Sequence, residues 1–322
     1  MRSFNRIAAL VTMVLLFAAP PCSAQSYPAK PIRMVLPFIG GAEGLARLVA
    51  QKMGESMGQP VVTDPVLGAG GALGAAQVAR AAPDGYTFQI AVPGAMVMRN
   101  FLSLNVPYQP IKDFTPITMA ATAVAVVVSH PSVKADSFKA LLDLAKSEPG
   151  KITFSSTGIG GADHLAGELV NQLTGAGLVH VPYKDGGAAL TGVLSGEVAT
   201  KFGVIATVLP HIKSGKLKAL AYITEVRSRD FGQLPLVRDS VPGFESPPYW
   251  MGYFGPANLP EPILKRLHDE IVRALQMPEV RTRFEDLGFA IVGNSPADFR
   301  AILAADVERV RKVVTAAGIK PE

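Results

Sequence analysis

The feature that most constrains this chain is a junction that it makes twice, once in each half. A short apolar, strand-like run breaks into glycine and polar residues and then enters an amphipathic helix. The first junction runs from Ile32 to Phe38 and on through Gly40, Gly41, Ala42, Glu43 and Gly44. The second runs from Lys151 to Phe154 and on through Ser155, Ser156, Thr157, Gly158, Ile159, Gly160 and Gly161. Each presents backbone N–H groups at the positive end of a helix, where a carboxylate or other anion is favoured. Together they predict a clamp, with Phe38, Gly40 and Gly41 on one side and Ser156, Thr157 and Gly158 on the other. Fixed amides and hydroxyls make charge-assisted bonds to a carboxylate, so no arginine is required. Gly94, Ala95 and Met96, after the strand at 86–92, are an expected third wall. The competing reading is that these are ordinary turns in which glycine supplies positive φ.

Strand and helix alternate through both halves. Strands are expected at 32–38, 61–63, 86–92, 151–155, 178–182, 198–204 and 217–223. Helices are expected at 162–174, 187–195, 207–214, 278–287 and 296–316, with one more opening at Pro262 and another carrying Phe138, Leu141, Leu142 and Ala145. Such alternation builds sheets with helices on both faces and ligands at the carboxyl ends of the strands. Two extended runs, Phe114 to Ser129 and Tyr249 to Phe254, are long enough to carry the chain out of one domain and back. The expected division is therefore 25–121 plus 250–322 for the first domain and 122–249 for the second.

The N-terminus reads as a signal peptide. Arg2 and Arg6 precede an apolar run from Ile7 to Ala19, and Cys22, Ser23 and Ala24 offer a small-residue cleavage site after Ala24. Removing residues 1–24 takes away the single cysteine and lowers the formal charge from +5 to +3, because Arg2 and Arg6 go with it. No disulfide framework or thiol nucleophile remains. The weak, dispersed basic excess is not a nucleic-acid footprint.

Eight stretches, in order, carry a family resemblance: YPAKPIR at 27–33, GAGG at 68–71, APDGYT at 82–87, KDFTPI at 112–117, HLAGE at 164–168, VHVPYK at 179–184, GKLKAL at 215–220 and AAGIKPE at 316–322. With them the chain resembles the extracytoplasmic solute receptors of tripartite tricarboxylate transporters, the Bug family. The resemblance implies an α/β, two-domain fold like that of the type II periplasmic binding proteins. Its mixed, mostly parallel sheets would be joined by two extended crossover strands. It also implies a small organic carboxylate trapped in the cleft, delivery to membrane permease subunits, a periplasmic location, a monomer, and neither cofactor nor catalysis. Departures from the family pattern bear on the ligand. The first loop is about two residues short, Glu43 stands where the family often has aspartate, and Ala199 and Gly203 replace common aspartates. A glycine at 203 argues against a ligand whose ammonium group needs a carboxylate there.

Other chemistry reads weakly. Gly68, Gly70 and Gly74 imitate a dinucleotide fingerprint, but the strand at 86–92 ends without the acid that holds a ribose. His164 and Glu168 stand four apart on a helix and lack a third metal ligand; the simpler expectation is a His164 bonded to backbone and a solvated Glu168. Ser155 and Ser156 have no assignable histidine or acid around them. Tyr183, Trp250 and Tyr253 could face an aromatic ligand, or Trp250 could anchor the returning crossover. Arg99 could meet the far end of a dicarboxylate, or lie in solvent. The alternatives to a transport receptor are a solute sensor for a membrane kinase and an exported hydrolase.

Overall fold

The computed structural model describes residues 27–37, 41–228 and 233–321. The expected signal peptide and the clamp residues Phe38 and Gly40 lie outside the described residues. In chain order, β1 (Ile32–Leu36), α1 (Gly41–Met57), β2 (Val61–Pro65), α2 (Ala72–Ala79) and β3 (Thr87–Ala91) form the opening βαβαβ run. A π-type turn at Gly94–Met98 leads to α3 (Arg99–Leu102), and neither is legible from periodicity. β4 (Phe114–Ala123) and β5 (Ala125–Ser129) are the long extended passage, broken at Val124.

The same alternation then restarts with α4 (Phe138–Ser147), β6 (Thr153–Ser156), α5 (Ala162–Thr174), β7 (Val179–Pro182) and α6 (Gly186–Leu194). β8 (Thr200–Val204), α7 (Ile205–Lys213), β9 (Lys218–Tyr222) and α8 (Val237–Ser240) complete it. β10 (Trp250–Pro256) returns, followed by α9 (Glu261–Gln276), α10 (Pro278–Asp286), β11 (Phe289–Ile291) and α11 (Pro296–Ala316). Capping side chains fix several starts. Ser137 accepts from the Ala140 amide, Asp185 from Gly187 and Ala188, and Ser295 from Asp298.

Two mixed sheets result, ordered β2-β1-β3-β10-β4-β11 and β7-β6-β8-β5-β9. The first three strands of each order pair in parallel, as βαβ units must. The antiparallel members come from the crossings: β10 enters between β3 and β4, and β5 between β8 and β9. Since both strands lie inside their sheets, every residue of β5 and of β10 is buried, and all but the terminal Ser129 of β5 are apolar or aromatic. Val124 joins the two sheets, donating to the Gly288 carbonyl and accepting from Ile205, both at 2.8 Å. Each sheet has a core on both faces. Met34, Phe88 and Tyr253 lie on one face of the first sheet, with Val35, Trp250 and Phe299 on the other. Phe154 and Phe202 lie on one face of the second, with Val126 and Val193 on the other. Among the described residues no helix is long and apolar enough to cross a membrane.

Candidate ligand-binding site

The segments that follow β3 and β6 meet across the two sheets, where Leu102 of α3 faces Gly160, and β8 runs directly into α7. On the first sheet, α1 opens at Gly41, and Glu43 in its first turn takes two hydrogen bonds from Arg47, at 2.7 and 2.9 Å. Arg47 also donates to the Thr63 hydroxyl. Glu43 is thus held by its own helix. Gly94 is exposed, with nothing within 4 Å of the place a β-carbon would occupy. Ala95 is buried, and its carbonyl accepts the Tyr108 hydroxyl at 2.5 Å.

The 68–71 turn serves close approach rather than a nucleotide. Gly70 and Gly71 adopt φ of 59° and 94°, and β-carbons there would meet Arg99 Nη1 and the Ala95 methyl, each at 3.0 Å. Arg99 is therefore half-buried over this turn. A cavity of about 370 Å³ is lined by Pro37, Leu67, Gly68, Gly71, Val92 and Ala95, among others.

On the second sheet, the 156–161 loop is held largely by itself. Ser156 Oγ accepts the Gly158 amide at 3.1 Å, the Gly160 amide donates to His164 Nδ1 at 2.8 Å, and the Gly161 amide donates to the Gly158 carbonyl at 3.3 Å. The amide of Gly158 is thus engaged inside the loop, which leaves the exposed Thr157 as the outward member of the expected trio. Tyr183 turns its hydroxyl back onto α6, where a β-carbon on Gly192 would come within 2.3 Å of it; only its backbone lies at the loop, the amide donating to the Ser156 carbonyl at 3.2 Å and the carbonyl 3.6 Å from the β-carbon position of Gly158.

The loop's anchor is a histidine pair. Ser156 Oγ lies 2.7 Å from His180 Nε2, so the serine does have a histidine partner, contrary to the sequence expectation. The His180 ring stacks on His164 at 3.8 Å, beside Phe154. Burial, and for His164 the neighbouring His180, push both imidazoles down to about 4. His164 bonds backbone as expected, but Glu168 is partly buried, 3.7 Å from His164 Nε2, rather than solvated; burial raises its carboxyl. The carboxylate of this cluster faces His164 rather than His180, and Ser156 is fully buried. That is a structural hydrogen-bond chain rather than a nucleophile with its base.

A second buried group was not legible as a site. Lys201, the second residue of β8, is 2% exposed, and Asp163, in the first turn of α5, is 5% exposed. Burial raises the Asp163 carboxyl, while the Lys201 charge and a 3.1 Å bond from the Tyr249 hydroxyl draw it back. Burial likewise lowers Lys201, and Asp163 opposes the shift. Gly203 lies beside them: a β-carbon there would be 3.0 Å from Lys201 Nζ and 3.6 Å from Asp163 Oδ2. The only sequence signal was a lone lysine in a strand-like run, two residues before a glycine.

The two sets of loops meet. A β-carbon on Gly160 would fall 1.9 Å from Leu102 Cδ1 of α3, so glycine is required for this contact. Behind it α5 lies against α11, with Gln172 donating to the Val313 carbonyl at 3.2 Å. Trp250 and Tyr253 are buried in the first sheet's cores instead of lining the gap; Trp250 Nε1 donates to Asp306 at 2.7 Å, which makes it the anchor of the returning crossover.

Known proteins share this arrangement. The profile of the tripartite tricarboxylate transporter family receptor, TctC, matches residues 45–319. Protein BugT of Bordetella pertussis is 34% identical over 99% of both chains. A solved periplasmic transporter is 37% identical, with a TM-score of 0.76 over 92% of this chain and 99% of its own. R. palustris Rpa4515, solved with adipate, is 28% identical, with a TM-score of 0.78 over 92% of this chain and all of its own. A match over most of the chain, landing on the same two-sheet architecture, settles the relationship: the chain belongs to the tripartite tricarboxylate transporter receptor family.

Proposed function

We propose that this protein is a periplasmic receptor that captures a small organic carboxylate between two lobes and presents it to the membrane permease subunits of a tripartite tricarboxylate-type transporter. The lobes are 25–121 plus 250–322 and 122–249, and residues 1–24 are the signal peptide, cleaved after Ala24. One observation carries the reading. The segments after β3 and β6 leave the carboxyl ends of strands in two different sheets, and Leu102 meets Gly160 between them. Open α/β sheets bind ligands at that end, and closure of two lobes on a ligand is driven by contacts made only in the closed state. Adipate in the related Rpa4515 is a ligand of the expected kind. The site performs no chemistry.

A thermal-shift series on the chain lacking residues 1–24, with mono- and dicarboxylic acids at neutral pH, tests this. A ligand at a hundred times its dissociation constant stabilises the folded state by about 2.7 kcal/mol, a rise of several degrees. If no organic acid raises the melting temperature while an unrelated neutral solute does, the reading fails.

A further inference from the structure

β8 carries a buried cation beside the start of α5. Lys201 and Gly203 point to the same side of the strand, because side chains alternate along it. With no β-carbon at 203, the Lys201 stem runs along the bare backbone and brings Nζ to the carboxyl end of the strand. Any other residue at 203 would put an atom 3.0 Å from that nitrogen. The glycine and the lysine therefore form one device. The ammonium has three donors, and one of them reaches the Phe202 carbonyl at 3.4 Å. Asp163 acts on it through charge rather than through a hydrogen bond. Asp163 itself is engaged by Tyr249. A buried ammonium with donors to spare, beside the loop that opens α5, is costly unless it meets an acceptor.

We propose that Lys201 is the specificity-determining cation of the cleft, and that it receives the second anionic group of a ligand whose first carboxylate is held by the loops. This rests on the cleft being an organic-acid site. The rival explanation is that Lys201 serves only to neutralise Asp163.

The test compares adipate with hexanoate, acids of equal chain length that differ by one carboxylate, by calorimetric titration at neutral pH. Wild type is expected to prefer adipate by about tenfold or more, the worth of one charge-assisted bond. Lys201→Met removes that preference while changing hexanoate affinity little. Because Lys201→Met alone leaves Asp163 buried without its cation, the decisive pair is Asp163→Asn against Asp163→Asn/Lys201→Met. If Lys201 reads the ligand, Asp163→Asn keeps the preference and the double variant loses it. If the double variant retains the wild-type preference, Lys201 serves Asp163 alone and the proposal is overturned. An equal affinity of wild type for the two acids overturns it as well, with the receptor function intact. Failure of every organic acid to bind wild type instead removes the functional reading on which the proposal rests.

Discussion

Both lobes start the helix after their central parallel strand with an acid in its first turn, and they answer that acid in opposite ways. In the first lobe Glu43 is met by Arg47 one helical turn on, at 2.7 Å, with both side chains reaching solvent. In the second, Asp163 is met from another element by Lys201 and by Tyr249, with all three groups buried. An exposed i,i+4 pair contributes a few tenths of a kcal/mol, because water screens it and two long side chains must be ordered. A buried charge without its partner costs several kcal/mol. The same sequence pattern, an acid at a helix start, is therefore a solvated detail in one lobe and a constraint on folding in the other.

The largest effect is expected where that contrast is broken directly. Lys201→Met should destabilise the protein by about 3–5 kcal/mol, the range for removing one partner of a buried charge pair, with the loss softened as Asp163 takes up a proton. Arg47→Met should cost about 0.5 kcal/mol or less. Urea denaturation midpoints compare the two, and equal losses would show that the lobes do not differ in this way.

Acid should weaken the second lobe next. His164 and His180 are held at about 4 in the fold, against an ordinary value of 6.5. Between those values the unfolded chain binds more protons, so stability is full above about pH 6.5 and is lost as pH falls towards 4. For His164, whose side chain is 8% exposed, the loss amounts to about 3 kcal/mol. The melting temperature should fall steeply from pH 7 to 4.5, and His164→Asn/His180→Asn should flatten the profile. An unchanged slope in that variant would assign the acid sensitivity elsewhere.

Sequence periodicity reaches the elements of this molecule but not its long-range contacts. The 162–174 and 296–316 helices are legible because their apolar positions recur at helical spacing and Gly161, Gly175 and Ser295 mark their ends. The extended passage 114–129 is legible because it is apolar without helical period. The short β11 and the π-type turn at 94–98 are not: β11 is only three half-buried residues, and the turn is bonded through its Ala95 carbonyl to Tyr108 of a different segment, a contact that no local pattern announces. The site divides similarly. Glycine at 156–161 announces a tight loop, but which amides remain for a ligand depends on Ser156 and on His164, whose geometry no local pattern fixes. Lys201 and Asp163 stand 38 positions apart in the numbering, and only the parallel pairing of β6 and β8 brings them together.

A milder perturbation separates the two walls of the gap. Gly160 has φ of 73° and a β-carbon position 1.9 Å from Leu102, whereas Gly94 has open space around it. Gly160→Ala should cost about 1–2 kcal/mol for the left-handed backbone and should also weaken ligand binding by keeping the walls apart. Gly94→Ala should change stability by about 0.5 kcal/mol or less. Adding Leu102→Ala to Gly160→Ala should restore affinity but not stability, since the backbone strain remains. If affinity does not recover, the contact across the gap is not what closes it.

The smallest effect concerns the crossover, where adjacent residues bind a buried acid in each lobe. Tyr249 donates to Asp163, and Trp250 donates to Asp306. Asp306 also holds Arg309 at 2.6 Å, so its charge is satisfied twice. Asp163 has Tyr249 as its hydrogen-bond donor, and Lys201 acts on it through charge. Tyr249→Phe should therefore cost about 1–1.5 kcal/mol, and the cost should depend on pH. A hydroxyl bonds an ionised carboxylate more strongly than a protonated one. Since burial raises the Asp163 carboxyl in the fold, the difference in stability between wild type and Tyr249→Phe should widen as pH rises through that raised value and shrink below it. A difference that stays at its small low-pH value across the range would mean that Asp163 stays protonated throughout. Lys201 would then face no opposing charge, and all of its ammonium would be available to a ligand.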